Sequence, residues 1–105
     1  MNSSTKGTGE MILTAYHFDG DPNALVDSHR RMVELFPPNS LDLHVAISHE
    51  RGLTVYDACP DRAAQQVFAA SPEFLATLAQ VGLRSPTIEV LGDVRYAHVN
   101  EEMRR

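Results

Sequence analysis

The 105-residue sequence is short of most features that would announce a chemistry. It holds one cysteine, Cys59, and no tryptophan. A lone thiol allows no internal disulfide, which points to a reducing, cytoplasmic setting. With no basic neighbour in sequence to lower its pKa, Cys59 reads as a small hydrophobe before Pro60 rather than as a nucleophile. No apolar run approaches the ~18 residues that would cross a bilayer, and the polar stretch Met1–Glu10 lacks the apolar centre of a signal peptide. Positive charge is also scarce: nine Lys and Arg stand against fourteen Asp and Glu, a net charge of −5. The densest basic runs, Arg30-Arg31 and Arg104-Arg105, are too short to neutralise a phosphate backbone, so nucleic acid is not an expected partner. There is no phosphate-binding glycine loop, no G-x-G-x-x-G and no G-x-S-x-G, which removes support for nucleotide binding and for nucleophile-elbow hydrolysis. H-E-x-x-H and C-x-x-C are missing as well, and His44 and His49 point to opposite faces of any one strand. Neither a metal nor another cofactor is expected.

What is present is a repeated order of elements. Ile12–Phe18 alternates and is rich in β-branched and aromatic residues, as a strand requires. Asp21-Pro22 then supplies an N-cap and a first helical position. Leu25, His29, Met32 and Phe36 follow at helical spacing, and Pro37-Pro38 ends the helix. Leu41–Ile47 alternates again, and Glu50-Arg51-Gly52 turns the chain back into Leu53–Ala58 as a hairpin. Asp61–Ala70 is helical, Ser71-Pro72-Glu73 resets the helix, and Gly82 closes it. Thr87–Leu91 is a fourth strand that is expected to run on past Gly92. This β-α-β-β-α-β order is the ferredoxin-like α+β arrangement. Residues 1–10 are expected to be disordered, 11–99 to form a single domain and 100–105 to be a charged tail. A core of roughly 85 residues is marginal in size, and burial against a partner would help it.

The arrangement leads us to expect the strand order 4-1-3-2, antiparallel apart from a parallel central pair, with both helices on one face. By alternation, Leu13, Ala15, Leu43, Val45, Ile47, Leu53, Val55, Ile88 and Val90 would lie beneath the helices. The other parity holds Ile12, Thr14, Tyr16, Phe18, His44, Ala46, Ser48, Thr54, Tyr56, Glu89 and Leu91. That mixed face is too apolar for open water and too polar for an ordinary core. It suits a face-to-face homodimer, a cleft for a small molecule, or both.

Four polar side chains, His17, His44, Tyr56 and Asp57, are expected to meet at one edge of the sheet. His17 and Asp57, at the ends of adjacent central strands, would share the helix side and form an Asp–His hydrogen bond. His44, Tyr16 and Tyr56 would face the cavity, where a histidine can remove a proton and a tyrosine can donate to a developing oxyanion. Thr14 and Thr54 would add hydroxyls for a substrate. A set of His17, His44 and Asp57 resembles two-His-one-carboxylate metal ligation, but parity separates His44 from it. Structural roles compete for each residue. Asp57 can bond turn amides, and Tyr16 and Tyr56 can be interface aromatics. His29 fits a satisfied core histidine, and His49 and His98 fit the surface.

The length, the element order, the broken second helix at Ser71-Pro72-Glu73-Phe74 and the mixed sheet face together resemble the dimeric α+β barrel superfamily. Its best-known branch is the antibiotic biosynthesis monooxygenase-like proteins. The resemblance spans about Met11–Val99 and implies a homodimer that binds a small molecule. Among its activities are cofactor-independent oxygenation, haem degradation, isomerisation and decarboxylation. The haem-degrading branch carries a haem-ligating histidine on its later helix; Asp61–Val81 contains none. Two readings follow. One is a homodimer enclosing a small hydrophobic or aromatic molecule, with cofactor-independent monooxygenation or isomerisation as its chemistry. The other is a non-catalytic ligand-binding or dimerisation module. A cavity on the order of a few hundred Å3 touching His44 and Tyr56 would favour the first.

Overall fold

The computed structural model describes residues 11–36 and 43–98. The expected terminal segments, the Pro37-Pro38 stop and Leu41 lie outside them. Strand β1 spans Ile12–Asp19, and helix α1 spans Pro22–Leu35. The helix begins as the sequence prescribes: the Asp21 carboxylate accepts the Ala24 N–H at 2.9 Å, and Pro22 occupies the first turn. Strands β2 (Leu43–His49) and β3 (Gly52–Cys59) pair through a two-residue connection, Glu50-Arg51. At the end of that hairpin Gly52 has φ +147°, and a Cβ there would lie 2.1 Å from the Phe18 carbonyl oxygen, so only glycine fits. The second helix is broken as expected, into α2 (Arg62–Ala69) and α3 (Pro72–Gln80). Asp61 caps α2 by accepting from Ala64 N–H, and Ser71 caps α3 by accepting from Phe74 N–H. Strand β4 (Thr87–Asp93) closes the order. It passes Gly92 by one residue and ends at Asp93, without continuing into Val94–His98, and Val94 N–H donates to the Met11 carbonyl. No helix among the described residues is long and apolar enough to cross a membrane.

The four strands form one sheet in the order β2-β3-β1-β4, the expected order read from its other edge. Every neighbouring pair is antiparallel, including the central one. This corrects the expectation of a parallel central pair. Each β-α-β unit returns its second strand parallel to its first, and the hairpin then reverses direction, so β1 and β3 must oppose each other. The correction changes which residues meet: Thr14, near the start of β1, lies across from Asp57, and His17 lies across from Thr54.

The two faces differ from the expected ones for a related reason. Direct cross-strand partners share a face, and Tyr16 lies across from Val55 while Phe18 lies across from Leu53. The core beneath the helices therefore combines Tyr16, Phe18, Leu53 and Val55 with Met32 of α1 and Phe74 and Leu78 of α3. Leu13 and Ala15 take the opposite face, the reverse of the expectation. Strand β2 is inverted too: His44 and Ala46 lie across from Asp57 and Val55, on the helix side. Its apolar series Leu43, Val45 and Ile47 points away from the helices, with Val45 40% and Ile47 46% exposed. Large aromatics on β1 are needed to fill the space under three short helices, whereas Ala15 and Ala58 suffice on the open face.

Candidate functional site

On the helix side of the sheet three side chains from three elements form a line. Asp57, in the middle of β3, is 2% exposed. Its Oδ1 accepts a short hydrogen bond, 2.6 Å, from His44 Nδ1. His44 reaches Asp57 because the two are direct partners across β2 and β3. His44 Nε2 lies 2.9 Å from His29 Nε2 on α1. The two rings are nearly parallel, at 9°, with centroids 5.0 Å apart. Burial holds the His29 imidazole down at about 4, with His44 and Arg30 pushing the same way, so His29 is neutral near pH 7.

Asp57 and His44 form the polar end of a cavity walled by Tyr16, Phe18, Met32, Phe36, Val55, Phe68 and Phe74. The rings interlock: Tyr16 meets Phe68 and Phe74 edge-on, and Phe68 and Phe74 approach to 4.6 Å. In this conformation the cavity measures about 20 Å3, room for a single water. It touches His44 but not Tyr56, which lies on the other face. The cavity that would favour a ligand-enclosing homodimer, on the order of a few hundred Å3 and touching both His44 and Tyr56, is thus met only in its contact with His44. The Tyr16 hydroxyl is buried without a hydrogen-bond partner, and so is the Thr14 hydroxyl. Burial pushes the Tyr16 phenol up to about 12. The Gln65 side chain pulls the other way, and the Asp57 charge adds to the rise. Tyr16 therefore stays a protonated donor at the cavity wall.

The open face carries a second polar line. His49 Nδ1 accepts from the Arg51 amide at 3.2 Å. His49 Nε2 and His17 Nδ1 both approach the Thr54 hydroxyl, at 2.9 Å and 3.0 Å. His17 Nε2 lies 3.1 Å from Glu89 Oε1. This line crosses all four strands on the side away from the helices.

The expected cluster is thus divided between two faces. His44, Asp57, Tyr16 and Thr14 gather beneath the helices; His17, Tyr56 and Thr54 lie on the open face. The expected bond between His17 and Asp57 is not formed; Asp57 bonds His44, and His17 bonds Thr54 and Glu89. His29 is satisfied, as expected, but by His44, which draws it into the site. His98 is exposed, as is His49, although His49 also bonds Thr54. Sequence reasoning passed over His29 and the buried Gln65 as neighbours of the site. The apolar stripe that contains His29 carried the signal, since that stripe must face the sheet. No group of three or more His, Cys, Asp or Glu side chains is placed to hold a metal ion among the described residues.

Comparison with solved structures finds a similar chain in SnoaB, a cofactor-independent oxygenase from Streptomyces nogalater, in the crystal structure of a single-residue variant. The two share 16% identity over 88% of this chain and 96% of that one, with a TM-score of 0.51. They have the same fold. The four-stranded antiparallel sheet with three helices is therefore the ferredoxin-like α+β architecture of that oxygenase. No protein-family model matches the chain, and no curated protein does.

Proposed function

We propose that the protein is a cofactor-independent oxygenase of a small aromatic substrate, bound between helices and sheet, in a homodimer formed through the open sheet face. The observation that carries this reading is the Asp57–His44 bond at the polar end of an otherwise aromatic cavity, beside the unpartnered Tyr16 hydroxyl. A substrate with an acidic C–H next to a carbonyl presents its ring to Phe36, Phe68 and Phe74. Its carbonyl oxygen accepts from Tyr16 O–H. Asp57, held by His44, receives the proton, and Tyr16 stabilises the enolate that forms. The enolate carbon gives its electron pair to dioxygen in two one-electron steps, forming a C–O bond and a peroxide anion, which then takes up one proton. Loss of water across the C–H and O–O bonds leaves a new carbonyl. One methylene and one dioxygen become one carbonyl and one water. Isomerisation would share the first step and end by returning the proton to a different carbon. Entry of a ring requires Phe36, Phe68 and Phe74 to part from their present packing.

One observation favours the second reading, a non-catalytic dimerisation module: the small cavity. An oxygen-electrode assay with β-tetralone, which has a benzylic methylene beside a carbonyl, separates the two. The oxygenase reading expects one oxygen consumed per substrate, and a fall of about 100-fold in Asp57→Asn. No uptake by wild-type protein, together with no ligand-induced shift of the His44 and Phe68 resonances, leaves the dimerisation module.

A further inference from the structure

We propose that Asp57, His44 and His29 form a proton relay that joins the aromatic cavity to solvent at α1, with His29 as its outer end. The inference rests on the reading that proton-transfer chemistry occurs in the cavity, and it assigns that chemistry a route to water. Asp57 is almost wholly buried and lines the cavity together with His44, whereas His29 is half-buried on α1 and does not line it. The line thus runs from the interior outwards.

Both nitrogens of His44 are engaged, Nδ1 by Asp57 and Nε2 by His29. His44 consequently has no lone pair to offer a substrate, and the carboxylate of Asp57 is the group that meets the proton. A dyad that acts only on substrate would leave His44 Nε2 facing the cavity. Here it faces a second imidazole at hydrogen-bonding distance, with the ring planes aligned.

With His44 carrying its proton on Nδ1, the Asp57 carboxylate accepts from it, and His44 Nε2 accepts from His29 Nε2–H. From this state the line runs inwards: water gives a proton to His29 Nδ1, His29 Nε2–H passes its proton to His44 Nε2, and His44 Nδ1–H gives its proton to Asp57. One proton enters, Asp57 becomes a carboxylic acid, no electron moves, and both imidazoles exchange tautomer. Outward transfer is the reverse: the acid protonates His44 Nδ1, His44 Nε2–H passes its proton to His29 Nε2, and His29 Nδ1–H releases one to water, which restores the carboxylate and the starting tautomers. In the proposed oxygenation the proton that Asp57 takes from the substrate is the one it returns to the peroxide anion, and the relay keeps Asp57 of the free enzyme in exchange with water. His29 suits the outer position because burial, His44 and the neighbouring Arg30 keep it uncharged near neutrality, so that it passes a proton on instead of storing it.

The relay is testable without substrate. Imidazole 15N NMR on the intact protein at neutral pH measures how fast the His44 ring N–H exchanges with water. Exchange is expected to be at least about tenfold faster in the wild type than in His29→Gln, whose amide can bond His44 but cannot pass a proton through. Equal rates in the two folded proteins overturn the relay. Should His29→Gln not fold, the wild type alone decides. In a relay, raising the buffer concentration, which speeds exchange at the outer His29, must speed N–H exchange at His44 in step, and a His44 rate that does not follow overturns it. Oxygen uptake by the wild type with equal N–H exchange in the variant removes the relay and leaves the oxygenase reading standing. Fast relay exchange without uptake of β-tetralone or oxygen removes the oxygenase reading and keeps the relay.

Discussion

Thr14 lies directly across β1 and β3 from Asp57, yet the carboxylate bonds His44 and the Thr14 hydroxyl is buried without a partner. Tyr16, one rung along the same face, has the same deficit. An unsatisfied buried hydroxyl costs its desolvation and returns nothing, so its removal should stabilise the fold. Thr14→Val and Tyr16→Phe are each expected to gain about 1 kcal/mol in urea denaturation. Tyr16→Phe should at the same time weaken binding of a carbonyl-bearing ligand. A gain in stability coupled to a loss in affinity is the pattern of a site, whereas a purely structural hydroxyl would lose both or neither.

The bond between His44 and Asp57 makes an asymmetric prediction. His44→Ala leaves the carboxylate at 3% side-chain exposure without its donor and should cost about 3 kcal/mol. The double variant His44→Phe/Asp57→Leu replaces both polar groups with apolar ones of similar size and should recover most of that loss. A double variant as unstable as the single one would mean that packing, not the bond, sets the cost.

His29 makes stability depend on pH with a definite sign. Its folded pKa of about 4 lies below the ordinary 6.5, so the unfolded chain binds the proton more readily. Stability from this group is complete above pH 6.5 and is lost as pH falls towards 4. Since His29 is only half-buried, the loss should be on the order of 2 kcal/mol rather than the full value of the shift. Chemical denaturation across that window should show the slope in wild type and not in His29→Gln.

The outward-facing side of β2 bears on assembly. If a second copy covers Val45 and Ile47, light scattering should give twice the chain mass, and stability should rise with protein concentration. Ile47→Asp would place a charge in that contact and should yield monomer. A wild-type monomer at micromolar concentration would retire the homodimer.

The element order was legible because its signals are local. Asp21-Pro22, Asp61 and Ser71-Pro72 each cap a helix within one turn, and Gly52 and Gly82 mark the hairpin and a helix end. The phases of β1 and β2 were not legible. Strand β1 is apolar on both faces, so alternation alone cannot say whether Tyr16 or Ala15 faces inward. In β2 the regular apolar series Leu43, Val45, Ile47 suggested a core face, yet the helix side of an edge strand had to present His44 to Asp57. Once both phases inverted, His44 joined Asp57 and His17 left it. The residue types of the site were readable, but their partners depended on register, which long-range pairing sets.

The line on the open face fixes its own polarity. The Arg51 amide can only donate, so neutral His49 must carry its proton on Nε2 and give it to the Thr54 oxygen. At the other end the Glu89 carboxylate can only accept, so His17 Nε2 carries a hydrogen and donates to it, and in neutral His17 this leaves Nδ1 to accept the Thr54 hydroxyl hydrogen. Each donor then points the same way, from the hairpin towards β4, with one histidine's tautomer set by a backbone amide and the other's by a carboxylate.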